Sequence, residues 1–274
     1  MTGSVSASIY QYSLSTGFDL STASYDSVSF SVSSQNSGPN AIAFNSDGTK
    51  FFLVGFGSTA IRQYSLSTAF DLSTASYDSV SFNVSSQETS PRGIDFNNTG
   101  TKMYILGTNS DSVHQYSLST AFDLSTASYD SVSFSVSSQS GVPLKVVFNP
   151  SGTKMFMLDF TNASVFQYSL STAFDVSTAS YDNVSFAITS QDSSPLGVNF
   201  NSDGTKMYIV GTDNDSVYQY TTGSAYTVTY DSAIQFGGGT APDSPLANET
   251  DVLAFSTRDG GISYQAMQAI DGAK

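Results

Sequence analysis

Apolar and polar residues alternate along most of this chain. Val132, Phe134 and Val136 are separated by single serines, so their side chains fall on one face of an extended strand and the serines on the other. This period of two predicts strands with one buried and one solvated face. The stretch 103–106, Met-Tyr-Ile-Leu, is apolar at every position and predicts an inner strand. With no helical period beside these patterns, the chain is predicted to be all-β.

The strand pattern recurs at a fixed interval. Each repeat carries the motif Gln-Tyr, and its tyrosine returns every 52 residues, at Tyr12, Tyr64, Tyr116, Tyr168 and Tyr220. One repeat contains four predicted strands, named A to D here in chain order, with a tight Asp-Gly type hairpin between A and B. Four short strands per repeat without a helix are typical of a β-propeller blade.

The chain ends set the number of blades. Four A to D sets fit within residues 37–236, while residues 5–36 supply only a C and a D strand and residues 245–272 only an A-like and a B-like strand. We therefore predict one domain over residues 1–274, a five-bladed β-propeller of four-stranded antiparallel blades, closed by pairing of the N-terminal and C-terminal half-blades. The alternative is an open array that carries residues 240–274 as a separate small β module.

Composition excludes several classes of function. The formal charge of −14 repels phosphate backbones, so we expect no nucleic-acid partner, and no apolar run is long enough for membrane insertion. The absence of cysteine excludes a disulfide framework and thiolate metal sites. The N-terminus has no signal-peptide pattern, so an extracellular location requires another route.

Two segments resemble known families. The turn from Phe200 through Lys206, followed by Met-Tyr-Ile-Val, resembles blades of YVTN and related surface-layer β-propellers. The C-terminal stretch, with Gly-Gly-Thr-Ala-Pro and then Asp-Val-Leu-Ala-Phe-Ser-Thr-Arg-Asp-Gly-Gly-Ile-Ser-Tyr, resembles the C-terminal segment of tailed-bacteriophage tail-fibre and related virion proteins. Tyr264 stands where that motif usually has tryptophan. The resemblance implies a virion location, in the phage tail or fibre, and other virion proteins as partners.

Catalytic chemistry is poorly represented. His114 is the only histidine, which excludes a histidine-rich metal site. Most aspartates recur once per blade and so lie a blade apart. Asn109 to Asp111 and Asp213 to Asp215 offer oxygen ligands at alternate positions that could hold Ca²⁺, but both lack a complete calcium loop. We predict no cofactor and no enzymatic activity.

Sequence differences among the repeats concentrate at one end of the blades. The connections D to A and B to C vary, whereas the A to B turn, the C to D connection and strand D are nearly identical. We call the end with the variable connections the varied face and predict a ligand site there. Gene duplication that homogenised only some segments is the alternative explanation. The predicted ligand-binding residues are Phe56, Arg62, Arg92, Asp95, His114, Lys145, Phe160, Asn199 and Tyr218.

The leading functional hypothesis is a phage virion adhesion protein whose varied face binds a receptor on a bacterial surface, a glycan or a protein. The alternative is an architectural protein that contacts only other virion chains. A third hypothesis is a secreted lactonase-like or lyase-like propeller enzyme, which needs metal ligands on the channel axis. There strand A offers Asp95 and Asn199.

Overall fold

The computed structural model describes residues 2–3, 6–222, 234–236, 250–256 and 264–273. These residues form strands joined by turns and four single-turn 3-10 helices, at Leu20–Thr22, Leu72–Thr74, Leu124–Thr126 and Val176–Thr178. No helix in these ranges has the length and apolar character needed to cross a membrane. The strands are β1 (Thr2–Gly3), β2 (Ser8–Leu14), β3 (Ala23–Ser31), β4 (Pro39–Phe44), β5 (Lys50–Gly55), β6 (Ser58–Leu66), β7 (Ala75–Asn83), β8 (Pro91–Phe96), β9 (Lys102–Gly107), β10 (Ser112–Leu118), β11 (Ala127–Ser135), β12 (Pro143–Phe148), β13 (Lys154–Asp159), β14 (Ser164–Leu170), β15 (Ala179–Ala187), β16 (Pro195–Phe200), β17 (Lys206–Gly211), β18 (Val217–Thr221), β19 (Ile234–Phe236), β20 (Thr250–Ser256) and β21 (Tyr264–Ala273).

The predicted four-strand unit is confirmed. Blade 1 (β4–β7), blade 2 (β8–β11) and blade 3 (β12–β15) are four-stranded antiparallel sheets in which consecutive strands are neighbours. Blade 4 contains β16, β17 and β18, and the N-terminal sheet contains β1, β2 and β3. Most of the predicted outer strand of blade 4, residues 223–233, lies outside the described residues.

The inner strands of neighbouring blades pack against each other. Strands β4, β8, β12 and β16 are in contact in that order. A Cβ atom on Gly93 would lie 3.0 Å from the carbonyl oxygen of Leu144, so glycine allows β8 to approach β12 this closely. Strand A of each blade therefore lies innermost, as a propeller requires.

The repeated glutamine joins one blade to the next. The Gln63 amide donates to Asp78 of its own blade at 2.9 Å, and its Oε1 accepts from the backbone N–H of Leu124 in the following blade at 3.0 Å. One side chain thus satisfies two polar groups at each blade interface. The same bond between blades is made by Gln11 to Leu72, Gln115 to Val176 and Gln219 to Leu20.

The last of these bonds joins blade 4 to the N-terminal sheet. Gln219 accepts from the backbone N–H of Leu20 at 3.0 Å, and the Tyr208 hydroxyl donates to the Phe18 carbonyl oxygen at 2.6 Å. The same bond joins blade 2 to blade 3, where the Tyr104 hydroxyl donates to the Phe174 carbonyl oxygen at 2.6 Å. The sheets therefore follow one another in a ring, and the fold is a β-propeller with antiparallel four-stranded blades.

The repeated tyrosine fills the space between blades. Tyr116 is fully buried, and its ring packs edge-on against Phe82 of the preceding blade with centroids 5.5 Å apart. Tyr64 and Tyr168 are equally buried, whereas Tyr12 in the N-terminal sheet is 46% exposed. The repeat motif therefore encodes a contact that the described part of the N-terminal sheet does not complete.

The C-terminal strands form a sheet of their own. The two predicted strands are confirmed as β20 and β21, which pair antiparallel, while β19 pairs parallel with the start of β21. Their predicted pairing with the N-terminal half-blade stays a prediction. Among the described residues, β2 pairs with β3 along its length and with β1 over two residues. Residues 237–249 and 257–263 lie outside the described residues.

Candidate functional site

A cavity of about 790 Å³ lies between the inner strands. Its wall contains residues of β4, β8, β12 and β16, so all four repeats contribute to it. This volume falls within the range of small-ligand sites in proteins. Most of the wall is apolar, and its polar side chains are those of Asn40, Arg92, Asp95, Lys145, Asn199 and Tyr208.

The structure brings together most of the predicted site residues. Those that line the cavity are Phe56, Arg92, Asp95, Lys145, Phe160 and Asn199. Arg62, His114 and Tyr218 belong to β6, β10 and β18, the third strands of their sheets, and do not line the cavity. A part for these three residues in ligand binding stays a prediction.

Aromatic side chains and one arginine form the mouth of the cavity on the varied face. Phe56 is 52% exposed and Phe160 is 37% exposed. The Arg92 guanidinium carbon lies 4.9 Å from the centroid of the Phe56 ring, a cation–π contact. A Cβ atom on Gly38 would lie 2.5 Å from the Phe56 ring, so the glycine leaves room for the ring in this position.

Arg92 lacks a hydrogen-bond acceptor at its Nε atom. This atom is buried, and no partner for it exists among the described residues. Burial lowers the pKa of Arg92, while the nearby charge of Glu88 acts in the opposite direction. The cation is therefore partly desolvated, and its Nε–H can donate to a ligand group.

Asp95 and Lys145 link two inner strands inside the cavity. The Lys145 ammonium donates to the Ile94 carbonyl oxygen at 2.6 Å, and Asp95 accepts from the Phe148 backbone N–H at 2.9 Å. Burial raises the pKa of Asp95 and lowers that of Lys145, and in each case the opposite charge of the partner offsets part of the effect. The pair joins β8 to β12 and places one charge of each sign in the channel.

Asn199 occupies in β16 the position that Asp95 has in β8. Its Oδ1 atom accepts from the backbone N–H of Phe200 at 2.9 Å. Part of its hydrogen-bonding capacity is therefore used locally, and its amide group remains at the cavity wall.

One group of buried polar residues was missed in the sequence. Each D to A connection carries a polar side chain that is at most 2% exposed. Glu88 accepts from the backbone N–H groups of Ser90 at 2.6 Å and Ser110 at 3.0 Å, and from the Ser110 hydroxyl at 2.7 Å. It thereby fixes the B to C connection of its own blade. The equivalent residues in the other blades are Asn36, Ser140 and Asp192.

Blade 3 achieves the same link with the two side chains exchanged. Gly107 ends strand B of blade 2, and a Cβ atom there would lie 2.4 Å from the Glu88 carboxyl carbon. In blade 3 the small residue is Ser140 and the acid is Asp159, and the two are hydrogen-bonded. A large polar residue opposite glycine, or serine opposite aspartate, is the sequence signal that could have revealed this pair.

His114 belongs to the Glu88 network. Its Nε2 atom lies 2.9 Å from the Ser110 hydroxyl oxygen. Because that hydroxyl donates to Glu88, Nε2 donates to Ser110, and the buried Nδ1 is left without a proton or a partner. Burial lowers the pKa of His114, although Glu88 opposes this shift. The arrangement holds a neutral histidine in a structural network.

The two segments considered for calcium are B to C connections. In Asn109 to Asp111, the backbone N–H groups of Asn109 and Ser110 point to Glu88. In the other segment, Asp213 accepts from the backbone N–H of Ser193 at 2.7 Å. The expectation that neither segment holds Ca²⁺ stays a prediction.

No family model matches the chain, and no curated protein matches it. Solved structures that resemble it are distant. A Bacteroides uniformis protein, provisionally named a 6-phosphogluconolactonase, is 12% identical with a TM-score of 0.49, covering 80% of this chain and 62% of its own. A functionally unknown protein of Desulfotomaculum acetoxidans is 14% identical with a TM-score of 0.49, covering 88% and 67%. A periplasmic gluconolactonase of Pseudomonas aeruginosa is 11% identical with a TM-score of 0.46, covering 67% and 50%.

The chain thus spans at most about two thirds of these proteins. Similarity at this level carries no argument about activity. The assignment of the fold rests on the sheets and on the contacts between them.

Proposed function

We propose that this chain is a non-enzymatic adhesion protein of a phage virion, whose varied face binds a receptor on a bacterial surface. The observation that supports this proposal is the group formed by Phe56, Arg92 and Phe160 at the mouth of the cavity. The two rings are exposed and the Nε atom of Arg92 lacks an acceptor, so the fold itself makes little use of these groups. The virion part of the proposal is supported by the resemblance of the C-terminal sequence.

A glycan suits this surface better than an extended protein partner. Aromatic faces and a few polar groups around a concave site can hold a sugar ring, and each contact of this kind is weak. Many copies on one particle would raise the overall affinity through avidity. We therefore expect weak binding by a single chain and strong binding by a multivalent form.

The second candidate is an architectural virion protein that contacts only other virion chains. It is supported by the Glu88 network, because Glu88 and Ser110 differ from their counterparts in blade 3 and yet fix the same connection. Part of the variation on the varied face therefore serves the fold.

Retention of the labelled protein by a panel of bacterial cells and surface polysaccharides tests the adhesion proposal. It is measured with and without Ca²⁺. We expect selective retention, lost on combining Arg92→Ala with Phe160→Ala. The matched control combines Lys206→Ala with Phe70→Ala, since Phe70 is 55% exposed and its backbone N–H bonds the A to B turn at Gly48, on the other face. Equal losses in both variants, or no retention by any cell, would favour the architectural candidate.

We also propose that the ring has five blades, and that β20 and β21 supply the inner strands of the fifth. The N-terminal sheet presents unfilled apolar surface, with Tyr12 46% and Leu14 39% exposed where the equivalent Tyr64 and Leu66 are 0% and 4% exposed. Strand β1 pairs only with Ser8 and Ile9 of β2, which leaves room along that edge.

Replacement of Tyr12 by alanine tests the fifth blade. If the blade is completed, we expect Tyr12→Ala to lower the free energy of unfolding by about 2 kcal/mol, since a buried ring is lost. Urea denaturation measures this change, and Tyr116→Ala at the fully buried equivalent sets the scale. A cost for Tyr12→Ala below about 0.5 kcal/mol would mean that β20 and β21 do not complete the N-terminal sheet.

A further inference from the structure

We infer that the ligand of the cavity carries a carboxylate, and that Arg92 is its main partner, with Lys145 as the second. This inference rests on the proposed binding function and names the chemical class of the ligand. An acidic saccharide, in which a sugar ring bears a carboxylate, has the required chemistry.

Arg92 has a donor that no described residue satisfies. A guanidinium carries five N–H donors and normally meets a carboxylate or several carbonyl oxygens when it is desolvated. Here its Nε is buried with no acceptor, and the face of the Phe56 ring holds the side chain at 4.9 Å. An oxygen from a ligand in the cavity would complete this donor.

Lys145 is a second basic residue of the cavity wall. Its side chain is only 9% exposed and lines the same cavity. An ammonium group has three donors, and one of them bonds the Ile94 carbonyl oxygen. The remaining donors are oriented by the link between β8 and β12, so they are held in place before any ligand arrives.

The carboxylates of Asp95 and Glu88 already accept hydrogen bonds within the fold. Asp95 accepts from the Phe148 backbone and lies within electrostatic range of Lys145, so its charge is already offset. Glu88 accepts four hydrogen bonds, from Ser90, Asn109 and both donors of Ser110. Arg92 is therefore the cation of the cavity wall whose charge is least satisfied, and an anion is favoured there.

Two aromatic rings of the cavity wall can contact the rest of the ligand. Phe56 and Phe160 lie in the wall of the same cavity and are exposed. A saccharide could stack an apolar ring face on one of them while its carboxylate enters toward Arg92. A neutral sugar could offer Arg92 only uncharged hydroxyl oxygens, which match a desolvated cation less well than a carboxylate does.

The experiment uses the full chain and three carboxylated polysaccharides: polygalacturonate, alginate and hyaluronate. Affinity electrophoresis compares each with its methyl ester, which keeps the sugar backbone and removes the charge. We expect retention by at least one acidic polymer, with a dissociation constant about tenfold higher for its ester and for Arg92→Gln, as for a lost charge-assisted pair. Lys206→Gln is the control of equal charge change, because Lys206 lies outside the cavity wall.

A second measurement does not depend on the variants. Titration with sodium glucuronate is expected to shift the Nε–H signal of Arg92 in a nitrogen-resolved NMR spectrum, whereas glucose and methyl glucuronate should leave it in place. The inference is overturned if esters bind as well as acids, or if no acidic polymer binds while the protein still retains bacterial cells. Loss of both kinds of binding would instead contradict the adhesion proposal itself.

Discussion

Replacing Glu88 by alanine is expected to lower the free energy of unfolding by about 3 kcal/mol, because several backbone and hydroxyl donors lose their acceptor at once. The carboxylate is fully buried and accepts from Ser90, Asn109 and Ser110. The sum of the separate bonds would be larger, but water can reach parts of this connection when the side chain is removed. Urea denaturation measures the loss, and hydrogen exchange should show faster exchange at the amides of these three residues.

The chain supplies the control for this prediction. Combining Glu88→Ser with Gly107→Asp recreates the arrangement that blade 3 has at Ser140 and Asp159. We expect recovery of part of the lost stability; full recovery is opposed by the Ser90 carbonyl oxygen, which lies 2.4 Å from a Cβ atom at position 107. If the double variant is less stable than Glu88→Ala, the two pairs are not equivalent, and the variation between these blades needs another cause.

The exchange of the acidic and the small residue between blades 2 and 3 shows that part of the variation on the varied face serves the fold. Sequence differences between the repeats separate into two groups: buried polar residues that fix connections, such as Glu88 and Asp159, and exposed groups, such as Phe56 and Phe160. The first group varies because several side chains can accept the same backbone N–H groups. Only the second group is available to a ligand, and the proposals above depend on it.

The fold could be predicted from the sequence because it is encoded repeatedly. Alternation around residues such as Phe134 fixes which face of a strand is buried, and the 52-residue interval excludes other β architectures. Gln63 and Tyr64 mark the blade interface, and their recurrence gave the order of the blades. A pattern that is present four or five times is little affected by one ambiguous position.

The candidate site could be predicted only in part, since each of its residues occurs once. Strand order placed Asp95 and Lys145 near the axis, but their separate bonds to β12 and β8 depend on side-chain geometry that no pattern records. Arg62 and His114 lie outside the cavity wall because a residue near the end of a strand can still be two strands away from the channel. The pairing of β2 with β1 was missed for a different reason, since a two-residue strand has no period to detect.

The largest effect is expected at Asp95. We expect Asp95→Ala to lower the free energy of unfolding by about 3–5 kcal/mol, because it leaves the buried ammonium of Lys145 without its counter-charge. The Phe148 N–H, 2.9 Å from the carboxylate, also loses its acceptor. Asp95→Asn separates the two causes, since an amide oxygen can still accept from Phe148 but carries no charge. Combining Asp95→Leu with Lys145→Met removes both charges and is expected to restore most of the stability.

The pH dependence of the same variant identifies the charge as the cause. Burial lowers the pKa of Lys145 below its ordinary value of 10.5, so between the lowered value and 10.5 this residue binds more protons in the unfolded chain, and its contribution to stability rises with pH. Removing Asp95 takes away the charge that opposes this shift, so the rise should begin at a lower pH and be larger in Asp95→Ala than in the wild type. Urea denaturation across the alkaline range measures both slopes. Parallel curves for the two proteins would show that Lys145 does not depend on Asp95, and the loss in Asp95→Ala would then come from the hydrogen bond to Phe148 alone.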